Sequence, residues 1–170
     1  MSITLIPDMG TALLNVAVEA LAAAGLAVPG LQFFTAEVLT EPPVVYGEAV
    51  VVAWIGMNPV LPGSNQSPAA DGRVTILRRA ARYLVYVFRD VTDIAAGADE
   101  GRTQDGAVET ADSTRIATDA LVVYRALQGA RAGGLLPGGI GTEISIEEAL
   151  PIQASGGIGG MAVTVNVTLS

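Results

Sequence analysis

The stretch Ile158-Gly159-Gly160-Met161-Ala162-Val163-Thr164-Val165-Asn166-Val167-Thr168-Leu169-Ser170 alternates apolar and polar side chains over its last eight positions. Val163, Val165, Val167 and Leu169 fall on one side; Thr164, Asn166, Thr168 and Ser170 fall on the other. A period of two is the pattern of a half-buried strand. Gly156, Gly157, Gly159 and Gly160 stand before it and read as a flexible lead-in, a candidate hinge. The chain is therefore expected to finish inside its sheet, since a terminal strand is held there by its ladder.

Working back from this strand, the spacing predicts the rest of the fold. An Ala- and Leu-rich helix follows a cap at Asp8 or Thr11 and stops at Gly25, with Leu14, Ala17, Val18, Leu21 and Ala22 on one stripe. Phe33–Leu39, Glu48–Ile55, Arg82–Val91 and Thr142–Glu147 read as strands, the second nearly continuous in Ala and Val and hence central. Residues 56–72 carry three prolines and three glycines and read as a loop. Residues 92–112 are polar and acidic and read as a second, longer loop. A helix over Ser113–Gln128 buries Ile116, Ala120, Val123 and Leu127, with Tyr124 at the edge of the stripe. Pro151 and the glycines divide the last two strands. The expected class is α+β: a mainly antiparallel sheet of four to five strands packed by two helices, in one domain of 170 residues with long loops.

Composition removes whole classes of chemistry. There is no His and no Cys, and all nine cations are Arg. The usual general base, thiolate chemistry and a Schiff-base or P-loop lysine are excluded. The glycines before the last strand do not form a phosphate loop, because such a loop opens a helix whose amides meet the anion. The acids near Asp99-Glu100-Gly101 lack the alternating oxygens of a calcium loop. Glu147 and Glu148 are neighbours in a strand and point to opposite faces, which argues against an acid–base pair. No catalytic, metal or cofactor residue is expected. The first helix holds Asn15 and Glu19 and has no basic segment before it, so neither a membrane span nor secretion is expected.

The net charge of −8 is unevenly spread. Residues 1–72 hold six acids and no base; residues 73–89 hold five Arg and no acid; residues 90–119 hold eight acids against Arg102 and Arg115. Arg73, Arg78, Arg79 and Arg82 form the one basic patch. It suits DNA phosphates or acids of a partner subunit, and the chain's own excess of acid favours the second.

Several blocks in order carry a resemblance: the opening helix, Tyr46-Gly47-Glu48-Ala49-Val50-Val51-Val52, Arg82-Tyr83-Leu84-Val85-Tyr86-Val87-Phe88-Arg89, the acidic loop, the second helix, and Pro151-Ile152-Gln153-Ala154-Ser155-Gly156-Gly157-Ile158-Gly159-Gly160 before a Thr/Val strand. This order is similar to tail terminators or head–tail connectors of long-tailed, siphovirus-type phages, especially those of actinobacterial hosts. Cysteines and tryptophans common in such relatives are absent apart from Trp54. The resemblance implies a virion protein at the tail–neck junction, made in the host cytoplasm. Its subunits would form a homohexameric ring that caps the tail tube and ends its polymerisation. The implied partners are further copies of itself, the major tail tube protein, a neck or head-completion protein, and passing genomic DNA without specific binding. Such a ring is not an enzyme and needs no cofactor. Asp93, Asp99, Glu100, Arg102 and Asp105 of the acidic loop, with the four arginines, are its candidate subunit or tube contacts. A neck or stopper protein is an alternative of the same class; a small-ligand or peptide-binding α+β domain is one of another, and its mark would be an apolar pocket with convergent polar groups.

Overall fold

The structure, a computed structural model, describes residues 5–37, 47–60, 78–91, 106–130, 135–136, 143–155 and 157–169. Its elements are α1 (Leu5–Ala23), β1 (Leu31–Thr35), β2 (Ala49–Val60), β3 (Arg78–Asp90), α2 (Gly106–Ala130), β4 (Ile144–Ser155) and β5 (Ile158–Leu169). The five strands make one open sheet in the order β1-β2-β3-β5-β4. β1 runs parallel to β2, and the other three pairings are antiparallel. The α+β class and the two-helix, mainly antiparallel architecture are as the sequence predicts.

Alternation decides which side of the sheet is which. Tyr83, Val85 and Val87 of β3 share a face with Val163, Val165 and Val167 of β5, and both helices pack on that face. Leu13, Ala17 and Leu21 of α1 and Val123 and Leu127 of α2 are buried there. Each of the larger side chains contributes about 1.5–3 kcal/mol by leaving water. The Tyr83 hydroxyl donates to the Ile6 carbonyl at 3.0 Å and ties β3 to the first turn of α1. α1 is long and apolar enough by length and composition to cross a membrane, and its stripe is spent on this core. The opposite face carries a second apolar cluster built from strand residues, including Val51, Tyr86, Phe88 and Ile158, with the Tyr86 and Phe88 rings stacked at 5.4 Å.

Several boundaries differ from the sequence reading. α1 is already helical at Leu5, so Asp8 lies in its first turn and Thr11 inside it. Pro7 does not prevent this, because first-turn amides have no intrahelical acceptor to lose. The other end is as expected: Gly25 takes φ 71°, and Leu26 N–H reaches back to the Leu21 carbonyl at 3.0 Å. β1 spans Leu31–Thr35 rather than Phe33–Leu39. β2 runs on through Gly56 and Pro59 to Val60, into the expected loop. This is tolerated because β1 ends opposite Ala53, leaving β2 one partner there, and a bulge between Trp54 and Gly56 absorbs the irregularity. β3 starts four residues earlier than expected, at Arg78, paired with that extension.

The acidic loop is shorter than expected, because residues 106–112 are the first turns of α2. Helix-weakening threonines are accommodated by back-bonding: the Thr114 and Thr118 hydroxyls donate to the Thr110 and Thr114 carbonyls at 2.7 and 2.8 Å. Pro151 does not divide two strands; it lies inside β4, an edge strand whose outer side needs no N–H donor. The dividing turn is a hairpin at Gly157, which takes φ 77°. Gly159 and Gly160 are ladder residues of β5, opposite Arg89 and Phe88.

Candidate functional site

Four side chains missed in the sequence form a charged cluster where α2 crosses the sheet. Arg89 closes the inward row of β3, in phase with Tyr83, Val85 and Val87. Its Nε donates to Asp119 Oδ2 at 2.7 Å and its Nη2 to Asp119 Oδ1 at 3.1 Å, a bidentate fork. Nη2 also donates to the Ala27 carbonyl at 2.7 Å, and Nη1 to Glu48 at 3.3 Å. Arg115 donates to the other oxygen of Glu48 at 2.6 Å. Arg89 and Asp119 are each 1% exposed. Burial pulls the guanidinium toward its neutral form; the hydrogen bond and charge of Asp119, joined by Glu48, outweigh it and raise the Arg89 pKa. The cluster joins the α1–β1 connection, the start of β2, the end of β3 and the middle of α2. The signal was present: Arg89 falls in phase with core valines, and Asp119 lies three residues after Ile116 and four before Val123. Charges in phase with a core are paired or they are not tolerated.

A cavity of about 480 Å³ opens between the N-terminal half of α2 and strands β4 and β5. It exists because its walls are small. Ala117 and Ala120 of α2 and Ala149, Gly159 and Gly160 of the strands line it, where Val123 and Leu127 fill the corresponding space farther along the helix. Leu150, Pro151 and Met161 add apolar surface, and Asp112 and Ser113 supply its polar groups. Gly160 cannot be larger, since a Cβ there would overlap the Val87 carbonyl of the neighbouring strand. Close backbone approach, rather than hinge freedom, is what this glycine provides. A volume of this size is that of a ligand or side-chain socket rather than a packing defect.

Of the candidate contact residues, Arg82 is described fully. It lies on the face opposite the helices and bridges to Glu147 at 2.7 Å; Glu147 also accepts from Asn166 at 2.8 Å. Arg78 and Arg79 lie in β3 opposite Val60 and Pro59. Arg73, Asp93, Asp99, Glu100, Arg102, Asp105 and Gly156 fall outside the described residues. A bulge between Ile146 and Ala149 sets Glu147 and Glu148 against one residue of β5, and both are exposed. Among the described residues no group of three or more acids forms a metal-binding cluster.

The fold and these sites define an α+β protein with two helices on one face of a five-stranded sheet and a cavity at one margin. No protein-family model matches the chain, and no curated protein is significantly similar to it.

Proposed function

We propose that this chain is a structural virion subunit that joins copies of itself into a ring, on the pattern of a phage tail terminator. Such a ring would cap the tail tube, end its polymerisation and present a face to the head or neck. The observation that supports this reading is the order of sequence blocks similar to tail terminators, carried on a five-stranded sheet with both helices on one face. The apolar cluster of Val51, Tyr86, Phe88 and Ile158 on the other face is already buried within the chain, 0–4% exposed. The role needs no catalytic group, in keeping with a chain that has no His, Cys or Lys. Electron micrographs of particles made without this product test the reading. Overlong tails support a terminator; finished but unattached tails point to a neck or stopper connector; normal virions refute both.

The cavity beside α2 favours a second reading, a domain that binds a small ligand or peptide. Its volume and its apolar wall with Asp112 and Ser113 suit that use. Native mass spectrometry of the purified chain separates the two: a retained small molecule on a persistent monomer supports the binding domain, whereas a bare oligomer supports the ring.

A further inference from the structure

The cavity beside α2 is graded from floor to mouth. Its floor is β5, where Gly159, Gly160 and Met161 are buried. Its sides are half-buried: Ile116 and Ala120 on α2, Val91 and Ile152 on the strands. Ser113, Ala117 and Leu150 are exposed and stand at the mouth. The depth follows from residue choice. Glycines keep the floor low, and Ala117 and Ala120, one turn apart on the same helix face, keep the wall thin. Charge is missing from this lining. Among the described residues that form it there is no cation, and Asp112, its one ionisable group, is already engaged within the chain. Arg89 and Arg115, on the neighbouring strand end and helix, are held by Asp119 and Glu48. A buried anion would lose its water without gaining a counter-charge, and a buried cation would find only a carboxylate already in use.

We infer that this cavity takes an uncharged, mainly apolar small molecule, with its hydrogen-bonding group, where it has one, at the mouth beside Ser113. The inference rests on the reading of the chain as a binding domain and names the ligand class. Size follows from volume. A dry apolar cavity of about 150 Å³ holds a single benzene ring. This one measures about 480 Å³, room for a molecule of about two to three rings. Orientation follows from the floor. The backbone groups of Gly159 and Gly160 belong to the β3–β5 and β4–β5 ladders, so a hydroxyl or carbonyl buried there would go unpaired. At the mouth the same group meets Ser113 or water, while the apolar body lies against Met161 and Ile116 and gains by leaving water.

Two fluorescent probes that share one ring skeleton test this on the full chain. N-phenyl-1-naphthylamine is uncharged; 8-anilinonaphthalene-1-sulfonate adds a negative charge. Titration should show the uncharged probe binding saturably, one per chain, about tenfold more tightly than the sulfonate, and with an affinity indifferent to salt. Ala117→Phe, at the exposed mouth, should weaken that binding about tenfold. If its circular dichroism departs from wild type, Ala120→Leu on the same wall replaces it. Leu121→Ser, at an exposed position of α2 outside the lining, should leave binding unchanged. A sulfonate that binds as tightly and is likewise lost in Ala117→Phe would overturn the uncharged class and leave the binding-domain reading standing. Uncharged-probe binding that Leu121→Ser abolishes and Ala117→Phe spares would put the probe on the outer surface and overturn the site. Saturable binding of neither probe would overturn the inference and the binding-domain reading together.

Discussion

Arg89 and Asp119, thirty residues apart in sequence, meet through two hydrogen bonds of 2.7 and 3.1 Å in a site where each is 1% exposed. The pair fixes α2 to the sheet at the level where the connection after α1 and the start of β2 also converge. A buried ion pair of this kind is costly to break and cheap to replace, because the penalty lies in the charge left behind.

Asp119→Ala should therefore destabilise the fold by about 3–5 kcal/mol. The double substitution Arg89→Met/Asp119→Leu should recover most of that loss. Urea unfolding of the three proteins measures both effects. A double variant no more stable than Asp119→Ala would show that Glu48 and the Ala27 carbonyl need the guanidinium in its own right.

Glu147→Gln tests the opposite case. The Arg82–Glu147 bridge is open to solvent, with the two side chains 38% and 42% exposed. Its loss should change stability by less than about 1 kcal/mol, and any effect should shrink in high salt. The midpoint of urea unfolding at two salt concentrations decides it.

Gly160→Ala should cost about 1–3 kcal/mol or more, where an ordinary exposed substitution stays within about 0.5 kcal/mol, since the added methyl meets the Val87 carbonyl, which is backbone and cannot turn aside. The thermal midpoint reports it. A variant as stable as wild type would mean that β3 and β5 can separate locally without loss.

Alkaline pH should unfold the chain. Burial raises the pKa of Tyr83 and of Tyr86 above the ordinary tyrosine value. The unfolded chain then loses these protons first, so stability is full below about pH 10 and falls as pH rises through that value. Absorbance of tyrosinate followed alongside circular dichroism should show these two residues ionising only with unfolding. Tyr83→Phe should flatten the loss and cost about 1 kcal/mol at neutral pH, through the bond to Ile6.

If the acidic segment contacts the tube or a neighbouring subunit, removing residues 95–105 should leave the isolated fold intact and abolish tail attachment. The cut stops short of Gly106, because α2 begins there. Attached tails of normal length on particles carrying the deletion would exclude this segment as a contact.

Much of the fold was legible from short-range pattern. Val163, Val165 and Val167 announced their inward face; for α1 the periodicity gave Leu14, Ala17 and Leu21 but also Ala22, which is exposed, and missed Met9 and Leu13, which are buried. Gly56, Pro59 and Pro151 misled because each is a breaker by composition yet is tolerated where a strand has one open side. Residues 106–112 misled because their glycine, threonine and acids read as loop by composition, whereas they form the start of α2 ahead of Ser113. The candidate site was less legible. Arg82 was singled out for its charge, but its partner Glu147 lies sixty-five residues away, and nothing local couples them.

What the sequence determined alone was which residues turn inward, and which chemistries are absent for want of His, Cys and Lys. Those are properties of single residues and of spacing along one strand or helix. Tertiary structure decided the strand order, the meeting of Arg89 with Asp119, and the void that small residues of α2, β4 and β5 leave together. Each depends on elements far apart in the chain, and a pair or a cavity has no signature until both of its sides are in place.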